Sequence, residues 1–140
     1  MNHKKTIIKS LVSLGKFMSQ FTSLTPIKSN KVLYNDVFFE GFKNQLKLAS
    51  ENNGWYTKSN LCYAMKQWSK LLQNDHLKSW LEPYSTPTTN PKTVAVVMPG
   101  NIPLVGFHDF ISVLASGHEI LVKQSSKDLD IIPYLANYLL

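Results

Sequence analysis

The chain has 140 residues, of which 44% are hydrophobic, so it is long enough to form one compact domain with a sizeable core. Its uninterrupted apolar runs fall far short of the roughly 20 residues that cross a bilayer, which predicts no membrane span. Cys62 is the single cysteine and cannot form an internal disulfide, and the basic N-terminus lacks the continuous apolar core of a secretory signal. We therefore expect a cytoplasmic protein.

The formal charge of +6 is unevenly distributed. All fifteen cationic residues are lysine, and arginine, which makes bidentate contacts with phosphate and guanine, is absent. Six of the lysines precede Asp36, the first acidic residue, while the remaining nine lysines and nine acids follow in balance. Since no basic stripe with interleaved aromatic residues follows the N-terminal arm, we expect no nucleic-acid partner.

The N-terminal arm has helical periodicity and predicts an amphipathic helix. Its apolar residues are spaced by four and three positions, with lysines and serines on the other face: Ile7, Leu11, Leu14, Met18 and Phe21. Two interpretations of the lysine face remain open. It is a solvated face of a packed helix, or it attracts an anionic lipid surface, ligand or partner, which would make the chain a noncatalytic interaction module.

Three further helices are predicted before the first strand. The second follows apolar residues at helical spacing from Phe38 to Ala49, and the third has Thr57 as its predicted N-cap. A short fourth helix is predicted to begin with Asn74 or Asp75 as its cap. These helices make residues 1–83 a predicted helical region, and the stretch 84–92, rich in proline, serine and threonine, is a predicted linker.

Residues 93–140 have a different pattern, in which strand and helix alternate. "TVAVVM" is continuously apolar, as expected of a strand covered on both faces, and "EILVK" is a second short strand. Between them a helix is predicted to end at Gly117, which suits a left-handed C′ position. After the second strand, Ser125 or Ser126 is the predicted cap of a last helix, with Asp128 and Asp130 in its first turn.

This order predicts an α/β fold, in which residues 93–140 form the first half of a Rossmann-like parallel-sheet dinucleotide-binding domain. The last predicted helix reaches the end of the chain without a C-cap, so we expect a truncated piece of a longer protein. Two strands alone would leave an unpaired edge, which leaves the oligomeric state open between a monomer and a homo-oligomer. No spacing of histidines and acids predicts a metal site.

The turn Pro99-Gly100-Asn101 follows the first strand, at the end where open α/β sheets bind ligands. Gly100 permits a tight turn or a close backbone approach, and Pro103 suits the first turn of the next helix. Asn101 has two open interpretations. It caps the helix or occupies a left-handed turn, or its amide donates to an oxygen that gains negative charge.

The end of the second strand predicts which cofactor is bound. A NAD-binding fold usually places an acid there for the ribose hydroxyls, whereas this chain has Lys123 followed by Gln124, Ser125 and Ser126. A cation and hydroxyls suit a 2′-phosphate. The spacing of Gly100 and Gly106 does not match the usual G-x-G-x-x-G fingerprint, so the cofactor would be held differently.

The segment "VAVVMPGNIPLVGFHDFISVLASGHEILVKQSSKD" resembles the aldehyde dehydrogenase superfamily and is most similar to its acyl-CoA reductase branch, which includes the fatty-acid reductase of bacterial luminescence. The preceding stretches "NNGWYTKSNLCYAMKQWSKLL" and "HLKSWLEPY" also resemble that branch. The resemblance implies an aldehyde dehydrogenase type of domain. It also implies reduction of a fatty acyl-CoA or acyl-protein thioester to an aldehyde through an acyl-cysteine intermediate.

The resemblance further assigns roles to single residues. Asn101 matches the superfamily asparagine that stabilises the oxyanion, with Gly100 in place of a tryptophan. Lys123 matches a lysine that contacts the adenosine ribose, while Ser126 replaces a glutamate that favours NAD, which implies NADPH. Pro99, Gly100 and Ser125 complete the implied cofactor-binding set.

The nucleophilic cysteine of the superfamily lies downstream of these motifs, beyond Leu140. Cys62 precedes the nucleotide-binding unit and matches no such motif, so the resemblance gives it no catalytic role. The 140-residue chain is therefore expected to be inactive by itself.

Overall fold

In this computed structural model, which describes residues 3–84 and 90–140, four α-helices precede two strands that are each followed by a helix. The elements are, in chain order, α1 (His3–Met18), a short 3-10 helix (Ser19–Phe21), α2 (Asn35–Asn52), α3 (Lys58–Leu71), α4 (Asn74–Leu81), β1 (Thr93–Val97), α5 (Phe107–Ala115), β2 (Glu119–Lys123) and α6 (Ile131–Leu139). The predicted linker 84–92 includes residues 85–89, which lie outside the described residues.

The apolar stripe of α1 forms the centre of the core, as its periodicity predicts. Leu11, Leu14 and Met18 are fully buried. Phe17 is buried beside them, and its ring stacks on that of Tyr138 in α6, with centroids 4.6 Å apart. The predicted helical region and the predicted α/β unit therefore share one continuous core, in which aromatic side chains supply much of the buried apolar area.

Two predicted helix starts differ from the structure, while a third is confirmed. Thr57 caps α3, since its hydroxyl accepts the backbone N–H of Asn60 at 3.1 Å. The predicted caps of α4 are wrong, because Asn74 already lies within the helix and Gln73 occupies the cap position without a side-chain bond.

The last helix, α6, also begins later than predicted. Its cap position is Asp130, and neither Ser125 nor Ser126 caps it. The backbone N–H of Asp128 instead bonds to the carbonyl of Ser125 at 3.1 Å, so Ser125 begins a turn. Asp128 is therefore placed before the helix, where its carboxylate is buried.

A turn precedes α5, which moves Pro103 out of the predicted first helical turn. Leu104 has a positive φ of 61°, and its carbonyl accepts the N–H of Phe107 at 3.1 Å, so the helix begins only at Phe107. The end of α5 agrees with the prediction. Gly117 has a φ of 83°, the left-handed conformation that glycine adopts without strain.

The two strands form a parallel sheet whose register runs from Thr93 beside Glu119 to Val97 beside Lys123, which confirms an α/β fold. The expectation that β1 is covered on both faces is wrong. Alternate residues are half-buried and exposed in both strands, and Val97 is 78% exposed. The described residues cover one face of the sheet only. Within the same residues no helix is long and apolar enough to cross a membrane.

Candidate functional site

The candidate site lies where both strands end, at the carboxyl edge of the sheet. Val97 pairs with Lys123, and the N–H of Met98 donates to the Lys123 carbonyl at 3.0 Å. Strand pairing therefore continues to the last residue before the turn. The loops 99–106 and 124–130 leave the sheet side by side, which brings the two predicted motifs together.

Gly100 allows the two loops to touch. A Cβ at this position would lie 2.5 Å from the Ser125 hydroxyl oxygen and 2.7 Å from the Ser125 Cβ. The Ser125 hydroxyl also accepts the N–H of Lys127 at 3.2 Å. The missing side chain of Gly100 is therefore needed for packing of one loop on the other, and this space is filled by Ser125.

Asn53, in the turn between α2 and α3, joins both loops through one amide group. Its Nδ2 donates to the carbonyl oxygens of Gly100 and Lys127, each at 2.9 Å. Its Oδ1 accepts the N–H of Trp55 at 3.0 Å, which fixes the orientation of the amide. Asn53 is buried, so water cannot replace these bonds without opening the loops.

Tyr56 makes a second connection between the same loops. Its hydroxyl lies 2.7 Å from Asp128 Oδ2 and 3.2 Å from the Ile102 carbonyl, and its one proton is donated mainly to the nearer carboxylate. Burial raises the pKa of Tyr56 far above its usual range, and the hydrogen bond and charge of Asp128 raise it further. Asp128 Oδ1 is buried and has no hydrogen-bond partner in the described part of the chain.

Sequence reasoning missed both connecting residues. Asn53 and Tyr56 lie in the stretch "NNGWY", where an asparagine before a glycine indicates a turn and an exposed side chain. No periodicity marks a turn residue that reaches two loops about 50 and 70 positions later along the chain.

Asn101 fulfils neither of the local roles that its position allows. The cap position of α5 is Gly106, and among the described non-glycine residues only Tyr34 and Leu104 have a positive φ. The Asn101 side chain is exposed and forms no hydrogen bond with a described residue. Its amide is therefore available to a ligand at the edge of the sheet.

A groove of about 470 Å³ adjoins Asn101, between α3 and the turn before α5. Its walls are mostly aromatic and aliphatic: Trp55, Tyr63, Trp68, Ile102 and Val105. Trp55 is 67% exposed and Tyr63 is 66% exposed, which is unusual for such large apolar rings. An amide donor beside an exposed apolar groove can bind an oxygen that gains charge on a substrate with a hydrocarbon chain.

The predicted cofactor residues divide into two groups. Lys123, Ser126 and Pro99 are exposed. Among the described residues, the Lys123 ammonium donates only to the neighbouring Gln124 carbonyl, at 2.7 Å. An exposed ammonium at the end of β2 and an exposed hydroxyl on the following loop fit the phosphate of a nucleotide. Gly100 and Ser125 contact each other and shape the loops, which leaves Lys123 and Ser126 as the exposed polar side chains of this set.

Cys62 does not belong to this site. It is half-buried on α3 and lines a different groove, beside Phe21 and Leu61. Burial raises the pKa of its thiol, which lowers the fraction of nucleophilic thiolate at neutral pH. Across residues 3–84 and 90–140, no group of three or more histidine, cysteine or acidic side chains could hold a metal ion.

Comparison with known proteins identifies no relative of this chain. No family model, no curated protein and no solved structure matches this chain. The resemblance to acyl-CoA reductases therefore depends on the sequence motifs alone.

Proposed function

We propose that this chain is the N-terminal part of an NADPH-dependent acyl-CoA reductase, which reduces a fatty acyl thioester to an aldehyde. One observation carries the proposal. Asn101 holds an exposed amide, without a hydrogen-bond partner among the described residues, at the carboxyl edge of the parallel strands beside an apolar groove. The proposed fold is the first half of a Rossmann-like domain of the aldehyde dehydrogenase type.

In this proposal the acyl chain lies along the groove and the thioester carbonyl faces Asn101. A cysteine outside these residues attacks the carbonyl carbon, forms the new C–S bond and expels the CoA thiolate. The Asn101 amide donates a hydrogen bond to the carbonyl oxygen while it carries negative charge. A donor held in place before the reaction needs no reorganisation when this charge develops.

The loop after β2 holds the cofactor in the proposed enzyme. NADPH would supply the hydride that reduces the acyl group, and the C–S bond to the cysteine would break to release the aldehyde and the cysteine thiolate. Lys123 and Ser126 bind its 2′-phosphate, and Gly100 and Ser125 keep the two loops in contact, so that Asn101 and the phosphate-binding residues have fixed relative positions. Pro99 lies exposed beside them.

The reading frame beyond Leu140 provides the first test. We expect it to continue and to encode a glycine-rich loop and a cysteine in the motif of the superfamily. A stop codon at that point would contradict the proposal and favour a noncatalytic module.

The second test is Asn101→Ala in the protein encoded by that complete frame. We expect kcat for NADPH oxidation with tetradecanoyl-CoA to fall about 10²-fold, the usual effect of removing one oxyanion donor. Asn44→Ala is the matched control, since Asn44 is an exposed asparagine on α2. Equal rates in the two variants would remove the role of Asn101.

The cofactor assignment is tested by Ser126→Glu and Lys123→Ala in the same protein. A carboxylate at position 126 would repel the 2′-phosphate and accept ribose hydroxyls, so we expect the preference to change from NADPH towards NADH. Lys123→Ala should raise the KM for NADPH and leave the KM for acyl-CoA unchanged. An unchanged cofactor preference in Ser126→Glu, together with an unchanged KM for NADPH in Lys123→Ala, would contradict the assignment.

A further inference from the structure

A second groove, of about 680 Å³, runs along the exposed face of α1. Six of the residues that line it are lysines, and we call it the lysine groove: Lys4, Lys5, Lys9, Lys16, Lys31 and Lys78. No carboxylate lines it. It thus collects positive charge from α1, from the segment before α2 and from α4.

Five of the six lysines of the lysine groove have no carboxylate partner within the described chain. Lys5, Lys9, Lys16, Lys31 and Lys78 form no ion pair with any described residue. Other lysines do form ion pairs: Lys28 with Asp36, Lys43 with Glu40, and Lys47 with Glu51. Repulsion among the uncompensated lysines is relieved when an anionic partner binds.

The base of the lysine groove is apolar. Ile8 and Val12 line it from α1, and Leu33, which is 59% exposed, lines it from the segment before α2. Ile8 and Val12 are partly buried against the core that Leu11 and Leu14 form, and the remainder of their apolar surface faces the groove. A merely solvated lysine face would not need a concave apolar surface between the charges.

The shape of the lysine groove decides between its candidate ligands. Lys5 and Lys16 are separated along α1 by about 16 Å at the rise of an α-helix. A fatty acid or a single lipid has one anionic head and would neutralise one end only. A flat anionic membrane would contact the rim but leave the apolar base of a concave groove unfilled. An acidic amphipathic helix carries charges along its whole length and inserts an apolar stripe between them.

We infer that the lysine groove binds an acidic amphipathic helix of a partner protein. Glutamates or aspartates on both sides of the helix would pair with the lysines, and its apolar stripe would cover Ile8, Val12 and Leu33. The inference uses residues outside the candidate site, so it does not depend on the proposed reductase function.

The test uses the 140-residue chain and a labelled synthetic peptide helix with leucines on one face and glutamates on both sides of them. We expect this peptide to bind, as measured by fluorescence anisotropy, and to bind about tenfold more tightly than a peptide with glutamine at every glutamate. Its affinity should fall as salt is raised. Equal binding of the two peptides, or binding of neither, would overturn the inference.

Charge-matched variants locate the site. Lys5→Gln, Lys9→Gln and Lys16→Gln together should lower the affinity for the glutamate peptide about tenfold. The control combines Lys66→Gln, Lys70→Gln and Lys92→Gln, which removes the same charge from exposed positions outside the groove. An equal loss in both triple variants would indicate attraction by net charge and would contradict a site in the lysine groove.

The apolar base and the competing ligands are tested separately. Leu33→Ser leaves the charge unchanged and should weaken peptide binding several-fold; an unchanged affinity would contradict insertion of an apolar stripe. Phosphatidylglycerol vesicles and myristate replace the peptide in parallel measurements. If the vesicles or myristate bind more tightly than the peptide, the triple variant of Lys5, Lys9 and Lys16 will show whether that binding occurs in the groove. If the variant loses it, the groove binds lipid and the proposed partner is wrong.

Discussion

The aromatic core and the carboxyl edge of the sheet are stabilised in different ways. In the core, Phe17 packs against Phe21, Phe42 and Tyr138 with ring centroids 4.6–5.4 Å apart, and these contacts are numerous and weakly directional. At the edge, a few directed hydrogen bonds from Asn53 and Tyr56 hold two loops. The core should therefore respond to a loss of buried volume, whereas the edge should respond to the loss of single polar atoms.

The largest loss of stability should come from a substitution that leaves a cavity in the core. Phe17→Ala removes a fully buried ring and its stacking on Tyr138, so we expect the free energy of unfolding to fall by about 3–5 kcal/mol in urea denaturation. Val37→Ala on α2 is the control, because Val37 is 73% exposed and should change stability by less than about 0.5 kcal/mol. Equal losses would contradict the position of Phe17 in the core.

Tyr56→Phe should give the next largest loss of stability, although it keeps the aromatic ring. It removes the one hydrogen bond that the described residues give to the buried Asp128 carboxylate, whose other oxygen has no partner among them. We expect a loss of about 2–3 kcal/mol at neutral pH, since hydrogen bonds to charged groups are the stronger ones. A loss near zero would show that a water molecule or a cation compensates Asp128.

Tyr56→Phe should also change how the stability of the protein depends on pH. The pKa of Tyr56 is raised in the folded state, so the stability this group contributes is fully present below the unfolded pKa of about 10 and is lost as pH rises towards the folded pKa. The parent should therefore lose stability above about pH 10, and Tyr56→Phe should lose less. Burial also raises the pKa of Tyr134 and Tyr138, so part of the alkaline dependence should remain in the variant.

Asn53→Ala should destabilise the protein by about 2 kcal/mol, because it leaves the carbonyls of Gly100 and Lys127 without their buried donor. Its particular signature should be local. Amide resonances of loops 99–106 and 124–130 should shift, while those of α1 should stay in place. Asn44→Ala is the control, and similar shifts in both variants would contradict the connection through Asn53.

The two regions also differ in how far the sequence predicts them. The first helix, the Thr57 cap, the parallel strands and the left-handed Gly117 follow from periodicity and local turn chemistry, and the structure confirms them. The predicted caps of α4 and α6 fail. Asn74 lies within α4, and Ser125 begins a turn that directs Asp128 towards Tyr56 instead of capping a helix.

The candidate site was predicted in part. The position of Asn101 and Lys123 at one edge follows from the strand order, and the roles given to them stay predictions. Asn53 and Tyr56 could not be predicted, because their contacts join a turn to loops that are distant along the chain. Such contacts depend on how the turn between α2 and α3 packs against loops 99–106 and 124–130, which no local pattern encodes.

The smallest expected loss of stability is that of Leu121→Ala, and its comparison with Leu135→Ala separates the effect of burial from that of side-chain type. Leu121→Ala and Leu135→Ala are the same substitution, but Leu121 is 62% exposed on the uncovered face of the sheet and Leu135 is fully buried in α6. We expect Leu135→Ala to cost about 2–5 kcal/mol in urea unfolding, through lost transfer energy and a cavity. Leu121→Ala should stay within about 0.5 kcal/mol, because its side chain is already in water. A large loss at Leu121 would mean that a second copy of the chain covers this face in solution, and dilution would then reduce the difference between parent and variant.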